Sequence, residues 1–182
     1  IAIVFCVFVC AFAQAQVEYG TDGKKLGIED YLKLAQEQET QGNNKEASRY
    51  INKVATIYWE QKDYDQAISH FGRSVKLNEA IDNIHGIMGI YGNMAMIYAD
   101  KAEYNKSLEY FQKTIAHKRK GTDKYNLSSA LINTSVVLNN LKRYDESVKM
   151  LEEALRLSQE LNDIEQMRSC YGMLAETYEK QG

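Results

Sequence analysis

The sequence predicts an all-α protein in which antiparallel helical hairpins stack side by side as an α-solenoid. One observation is an apolar stripe with the spacing i, i+4, i+7, i+11, which forms one face of an amphipathic helix. It recurs at 40-residue intervals and begins at Tyr64, Tyr104 and Tyr144. Another apolar series, which starts earlier in the chain and is called the first series below, has the spacing i, i+3, i+4, i+7; it recurs between these stripes and begins at Ile51, Tyr91, Leu131 and Tyr171. Because one hairpin cannot bury both apolar faces alone, neighbouring hairpins must stack.

Eight helices follow from these two series. We expect them near residues 28 to 41, 44 to 61, 64 to 80, 84 to 101, 104 to 120, 124 to 141, 144 to 160 and 164 to 181. The first hairpin is irregular, since Tyr31, Leu34 and Ala35 fit the first series with a shift of 20 residues. The helix near 44 to 61 can therefore be the second of one pair or the first of the next, and the frame stays open.

Small residues and polar caps support the same helices. Ala55 and Ser135 in one series and Ala67 and Ser147 in the other predict the points where paired helices cross most closely. N-caps are expected ahead of the first-series helices, where Asx and Thr residues accept backbone hydrogen bonds. These pairs are Asp82-Asn83, Thr122-Asp123 and Asn162-Asp163.

Over residues 44 to 182 the sequence resembles the tetratricopeptide repeat. The resemblance lies in the order of residue types in each helix pair, which is large, apolar, small, aromatic in the first helix and aromatic, small, large in the second. The resemblance implies a right-handed superhelix with 40-residue units near 44–83, 84–123 and 124–163 and a partial unit at 164–182, behind a degenerate first hairpin from 28. The glycine that the family places between paired helices is replaced by Lys62, Ala102 and Lys142, and the chain has no proline. We interpret this as longer, continuous helices with tight junctions.

The two ends of the chain differ from the array. Residues 1–13 are almost wholly apolar, residues 1–16 carry no charge, and the stretch runs into Ala13-Gln14-Ala15-Gln16, the pattern of a signal-peptidase site. We expect a cleaved export signal at 1–16 that lacks its own beginning, followed by a linker at 17–27; a membrane anchor is the alternative. The expected localisation is exported, either periplasmic or otherwise extracytoplasmic. The half-complete final unit leads us to expect that the protein continues past Gly182.

Chemistry-bearing residues are sparse. His70, His85 and His117 stand at no metal-ligand spacing, and after signal removal Cys170 is a lone thiol. We predict no metal, no cofactor and no catalysis by this fragment. The net charge of −3 gives no electrostatic case for nucleic acid, and a membrane is expected as a partner only through the N-terminal segment or a downstream one.

Binding is instead expected on the concave face that the first helices of a tetratricopeptide array line. Asn93 and Asn133 occupy the slot where asparagines of peptide-binding relatives, such as the kinesin light chain, hold an extended ligand; they would otherwise tie neighbouring helices. Members of the family that bind chaperone tails use a clamp of basic residues on this face. In this chain only Asn93 matches the clamp, which disfavours recognition of a C-terminal carboxylate. The other residues that we predict for this face are Asn52, Thr56, Trp59, Met96, Val136, Asn139 and Asn140. Trp59 can alternatively pack at a hairpin end.

Taken together, these features predict a non-catalytic scaffold that binds a protein or peptide. Exported or membrane-linked arrays of this 40-residue type resemble the extracytoplasmic input regions of bacterial sensor proteins. This resemblance implies the sensory or interaction part of a longer exported or membrane-linked protein. The alternative is the regulatory region of a histidine kinase or nucleotide cyclase whose catalytic domain lies beyond residue 182. A third interpretation is a cytosolic peptide receptor. The sequence predicts no oligomeric state.

Overall fold

Eight α-helices make up the part of the chain that the computed structural model describes, residues 25–182. They are α1 (Ile28–Thr40), α2 (Asn44–Glu60), α3 (Tyr64–Glu79), α4 (Ile84–Asp100), α5 (Tyr104–Lys118), α6 (Lys124–Asn140), α7 (Tyr144–Leu161) and α8 (Ile164–Gln181). Each begins at the residue that the sequence pattern predicts. The all-α repeat fold is confirmed. The predicted signal segment 1–16 and most of the linker 17–27 lie outside the described residues.

Left-handed backbone, rather than continuous helix, joins most helices to the next. Between α2 and α3 the residue Lys62 has φ 62°, and between α6 and α7 the residue Lys142 has φ 59°. Ala102 has φ 58° in the corresponding turn after α4. The junctions are tight, as we expected, with three residues between the paired helices, but our expectation that the helices continue through them was wrong. The turn keeps the conformation that favours glycine, and these three residues adopt it at a conformational cost.

Three predicted N-caps are confirmed, because in each the side chain accepts a hydrogen bond from a backbone N–H in the first helical turn. Asn83 accepts from the Gly86 amide at 3.1 Å, and Asp123 accepts from the Asn126 amide at 3.1 Å. Asp163 does the same for α8 at 3.0 Å. These caps fix where α4, α6 and α8 begin.

The first compact unit comprises the described residues up to Lys101 and holds α1 to α4. Within it, α2 and α3 form a hairpin in which the fully buried Ala55 and Ala67 let the helices approach and Phe71 fills the core. A buried polar link also joins the two helices: Ser48 and Ser74 share a hydrogen bond of 2.7 Å between their hydroxyl oxygens.

The second compact unit, Ala102–Gly182, holds α5 to α8. The α6–α7 hairpin crosses at two small residues, where the Ser147 hydroxyl donates to the Ser135 carbonyl at 3.2 Å. Leu151 of α7 is fully buried beside this crossing. From Leu127 to Asn139 every residue of α6 is buried, so this helix is the centre of the unit.

No helix within residues 25–182 combines the length and hydrophobicity that crossing a membrane requires.

Candidate functional site

Inside each unit, a side-chain hydrogen bond joins two helices of the first series, as a binding face shared by both requires. In the first unit, the Trp59 Nε1–H at the end of α2 donates to Asp100 Oδ2 at the end of α4, at 2.7 Å. In the second unit, the Asn139 Nδ2–H on α6 donates to Thr177 Oγ1 on α8 at 2.8 Å. Two partial faces result, one from α2 with α4 and one from α6 with α8.

The predicted residues of the first unit occupy the partly open face of α2 and α4. Asn52, Thr56 and Trp59 follow one another at helical spacing on α2 and are half-buried. On α4, Asn93 is half-buried, whereas Met96 is buried at 9% exposure. This face is therefore polar and uncharged at its asparagines, with an aromatic ring at one end.

Asn52 has the hydrogen-bonding capacity that a peptide site needs. Its carboxamide oxygen is buried and accepts no hydrogen bond. The neighbouring Thr56 hydroxyl donates to the Asn52 backbone carbonyl at 2.9 Å and not to the Asn52 side chain. A buried acceptor without a donor costs free energy, so turning this half-buried side chain outward to meet a ligand donor would be favourable.

Trp59 packs at the end of a hairpin and uses its indole N–H within the protein. Its acceptor Asp100 keeps some solvent exposure, but partial burial raises the pKa of the carboxyl, against the opposing effects of Trp59 and Lys62. Burial and the Asp100 charge together raise the pKa of the Tyr64 phenol. The contacts fit the packed interpretation of Trp59 better than that of an open aromatic anchor.

The predicted residues of the second unit are mostly enclosed. Asn133, Val136 and Asn139 are 4–9% exposed, and Asn140 is exposed with its Nδ2–H donating to the Val136 carbonyl at 2.8 Å. The Asn139 carboxamide oxygen is buried and accepts no hydrogen bond, although its nitrogen is fixed by Thr177. Asn93 and Asn133 belong to different units, so the structure leaves the proposed asparagine ladder a prediction.

An open depression of about 420 Å³ lies elsewhere, at the turn between α2 and α3. None of the predicted binding residues lines it. Its walls are charged, with Lys101 Nζ 2.7 Å from Asp65 Oδ1, and this hydrogen bond lowers the pKa of the Asp65 carboxyl. Since each cation there stands among acidic side chains, the depression has no net preference for an anion.

Groups with catalytic or metal-binding potential are dispersed. Across residues 25–182 no three His, Cys, Asp or Glu side chains come together as a metal site. His70 stacks on Tyr58 with ring centroids 5.3 Å apart, and burial followed by the Arg73 charge lowers its pKa. Burial raises the pKa of the Cys170 thiol to about 11, which keeps it protonated.

Sequence reasoning missed the buried polar residues that hold the faces in place. Ser128 and Ser158 share a hydrogen bond of 2.9 Å between α6 and α7, and Gln166 of α8 donates to the Ser129 hydroxyl at 3.1 Å. The available signal was an 80-residue interval: Ser48, like Ser128, lies in a first helix and bonds to a polar residue 30 positions later.

Comparison with known proteins agrees with this architecture. The sequence profile of the tetratricopeptide repeat family matches residues 50–120 and 86–160, more than half of the chain. A curated relative, the uncharacterized protein ycf37 of Guillardia theta, is 30% identical over 86 residues, which are 47% of this chain and 48% of that protein. The matched segment thus spans about half the length of that relative.

Two solved structures show the same fold at low sequence identity. One is a protein from Pyrococcus horikoshii, the Signal Transduction ATPase with Numerous Domains protein with a tetratricopeptide repeat sensor. It superimposes with a TM-score of 0.76 at 21% sequence identity, and the match covers 85% of this chain and 24% of that chain. The other is the TPR2B domain of yeast Sti1 in its complex with pHsp70: TM-score 0.59, 16% identity, 73% of this chain and 97% of that chain covered.

Proposed function

Because the chain belongs to the tetratricopeptide repeat family, we propose that it is a non-catalytic scaffold that binds an extended peptide segment of a partner protein. The fold suggests an interaction scaffold. The observation that carries the peptide proposal is Asn52, whose buried carboxamide oxygen has no donor in the protein. Asn93 lies half-buried on the adjacent first-series helix of the same unit.

The chemistry of this face favours an uncharged segment. A carboxamide offers a donor and an acceptor together, and these match the alternating N–H and C=O groups of an extended backbone. Asn52, Thr56 and Asn93 carry no charge and cannot pair with a carboxylate or phosphate, although Lys53 stands on α2 at the position that Asn93 holds on α4. The complex of yeast Sti1 with pHsp70 supports a peptide ligand, because it shows that fold with a protein partner.

The proposal is tested by selecting ligands from a displayed library of random 12-residue peptides and titrating the best binder calorimetrically. Asn52→Ala and Asn93→Ala each remove a hydrogen bond worth about 0.5–1.5 kcal/mol, which weakens binding roughly 2- to 12-fold. The double variant Asn93→Ala with Asn133→Ala tests the ladder in the same way. Asn105→Ala is the matched control, since this exposed asparagine lies on α5, outside the first-series helices. Equal affinities for all four variants would contradict the peptide face.

We further propose that the scaffold is exported and is the sensory part of a longer signalling protein. The apolar segment ahead of Ala13-Gln14-Ala15 supports export. Expression with the upstream coding sequence restored and N-terminal mass spectrometry tests it: processing after Ala15 in an extracytoplasmic fraction is expected. An unprocessed product in the cytosol would instead support a cytosolic peptide receptor, and an unprocessed membrane product would support an anchor.

A second candidate function is the regulatory region of a larger signalling enzyme. The Pyrococcus horikoshii protein favours it, because its tetratricopeptide repeat sensor is part of a signal-transduction ATPase and the match covers 24% of that chain. Sequencing the gene downstream of the Gly182 codon separates the two. Kinase or cyclase motifs there support the enzyme, whereas further repeats and a stop codon support the scaffold.

A further inference from the structure

One carboxylate stands at the end of the α2–α4 face, which is the partial face shared by α2 and α4 in the first unit. Asp100 is the last residue of α4, and its Oδ2 accepts the Trp59 indole N–H at 2.7 Å. Asp100 follows Asn93 by seven residues, and Trp59 follows Asn52 by the same interval. Seven residues are close to two helical turns, about 10.5 Å, so each pair lies on one side of its helix.

The hydrogen bond from Trp59 occupies only part of the carboxylate. An ionised carboxylate accepts through both oxygens. Oδ2 is held by the indole, whereas Oδ1 receives no hydrogen bond from the described residues. Because Asp100 is exposed at the end of α4, a donor from a ligand can reach this second oxygen.

The protein compensates the charge of Asp100 incompletely. Lys62 acts on the carboxyl through its charge, without a direct ion pair in the described part of the chain, and partial burial outweighs this effect and raises the pKa. The neighbouring Lys101 is paired with Asp65, whose Oδ1 lies 2.7 Å from the Lys101 Nζ. A partly desolvated carboxylate without an ion-pair partner is stabilised by an added cation.

Negative charge is in excess at this end of the face. Four carboxylates and two ammonium groups stand at the turn after α2 and at the end of α4, which leaves two negative charges uncompensated. The carboxylates belong to Glu60, Asp63, Asp65 and Asp100, and the ammonium groups belong to Lys62 and Lys101. Such an excess attracts a cationic group to the end of a face whose asparagines carry no charge.

The second unit shows that the repeat fold does not require this arrangement. Eighty residues after Trp59 and Asp100, the equivalent positions hold Asn139 and Lys180. There Asn139 joins α6 to α8 through Thr177, and the position of Asp100 carries the opposite charge. Two first-series helices are thus joined without an indole or a carboxylate at these positions. The Trp59–Asp100 pair is therefore a property of the first unit and not of the repeat.

We propose that Asp100 selects a basic side chain, arginine or lysine, in the peptide that the α2–α4 face binds; this inference rests on the proposed function. The cation donates to Asp100 Oδ1, and its methylene groups lie on the half-buried Trp59 ring. Trp59 is a positioning residue, since its indole N–H fixes the carboxylate. About three residues of extended chain span the two helical turns from Asn93 to Asp100, so the basic residue lies within about three positions of the segment that the asparagines hold.

The inference is tested by two parallel selections from the displayed library of random 12-residue peptides, one on the whole chain and one on the whole chain with Asp100→Asn. We expect the wild-type chain to enrich arginine or lysine at one fixed position of the common peptide motif, and Asp100→Asn to lose that enrichment. Asparagine keeps an oxygen that accepts the Trp59 indole N–H, so the variant removes the charge and retains the link between the helices. Trp59 is the single tryptophan of the chain, and its unchanged fluorescence checks that link.

A double-mutant cycle then locates the contact. Glutamine replaces the basic residue in the best peptide selected on the wild-type chain, and both peptides are titrated calorimetrically. The replacement should weaken binding about 5-fold on the wild-type chain and less than about 2-fold on Asp100→Asn. Glu37→Gln is the matched control, because Glu37 is an exposed carboxylate of the same unit on α1, outside the face; the replacement should keep its full effect there.

Two results would overturn the inference and leave the peptide face in place. One is a set of selected peptides without an enriched basic residue. The other is an equal effect of the glutamine replacement on the wild-type chain and on Asp100→Asn. Failure to select any peptide on the wild-type chain would contradict the proposed function itself, and the inference with it.

Discussion

Gly86 and Gly89, three residues apart on α4, should respond to alanine with opposite changes in stability. An added Cβ at Gly86 would lie 2.5 Å from Asn78 Oδ1 and 2.5 Å from Asn83 Nδ2. At Gly89 it would meet nothing within 4 Å. Alanine gains about 0.5–1 kcal/mol of helix propensity over glycine at either position, so the difference between them reports the contacts alone.

The neighbours of Gly86 cannot move aside without loss. Asn78 is buried at 3% exposure, and its Nδ2–H groups donate to the Ser48 hydroxyl and the Ser74 carbonyl. Its Oδ1 accepts from Asn83 Nδ2 at 2.7 Å, and Asn83 in turn caps α4 through the Gly86 amide. A methyl group at residue 86 forces the two carboxamides apart.

The expected magnitude follows from these bonds. Loss of the buried Asn78–Asn83 hydrogen bond costs about 1–2 kcal/mol and weakening of the N-cap costs about 1 kcal/mol. Subtracting about 1 kcal/mol of helix propensity leaves Gly86→Ala destabilised by roughly 1–2 kcal/mol. Gly89→Ala should be stabilised by about 0.5–1 kcal/mol.

Urea denaturation followed by far-ultraviolet circular dichroism measures both changes against the wild type. The midpoint should fall for Gly86→Ala and rise for Gly89→Ala, with the denaturant slope unchanged. If both variants shift the midpoint in the same direction by similar amounts, the Asn78–Asn83 contact does not hold the start of α4 as described.

Three further predictions concern single side chains. Burial and the Arg73 charge lower the pKa of His70 in the folded protein, so the folded state binds fewer protons than the unfolded state. The contribution of His70 to the free energy of unfolding should be complete above pH 6.5 and should be lost as the pH falls below that value. Urea titrations at several pH values measure this loss, which His70→Gln should remove. Burial raises the pKa of Cys170 to about 11, which keeps the thiol protonated at pH 8. Its reaction with iodoacetamide at pH 8, followed by peptide mass spectrometry, should be at least 100-fold slower in the native protein than in urea. Equal rates would contradict the burial of Cys170. Lys142→Gly should raise the free energy of unfolding by about 0.5–1 kcal/mol, because φ is 59° there and glycine adopts this conformation without a steric cost. The control Lys149→Gly, inside α7, should lower it by about 1 kcal/mol. A loss of stability in both variants would argue against the left-handed turn.

The starts of the helices were predictable because apolar spacing, caps and small residues all point to the same positions. Asn83, Asp123 and Asp163 cap the helices as expected. The left-handed turn at Lys62 could not be predicted, since a lysine gives no sign that φ is positive. Where the family's glycine is replaced, the backbone keeps the left-handed conformation and the new residue adopts it at a conformational cost.

The candidate site was only partly predictable. The positions of Asn52 and Asn93 on the first-series helices followed from the 40-residue interval. The enclosure of Asn139 did not, because its hydrogen bond to Thr177 joins α6 to α8 and depends on tertiary packing. Periodicity assigns a residue to a face of its own helix, while its exposure depends on the elements that pack against that face.

The peptide face is tested most directly by the side-chain amide signals of the ¹H–¹⁵N spectrum of the chain, recorded with and without a selected peptide. We expect the Asn52 and Asn93 NH₂ signals to shift and saturate together as the peptide concentration rises, while the Asn105 signals stay in place. Saturable binding that leaves Asn52 and Asn93 unmoved, with shifts confined to residues outside α2 and α4, would contradict it.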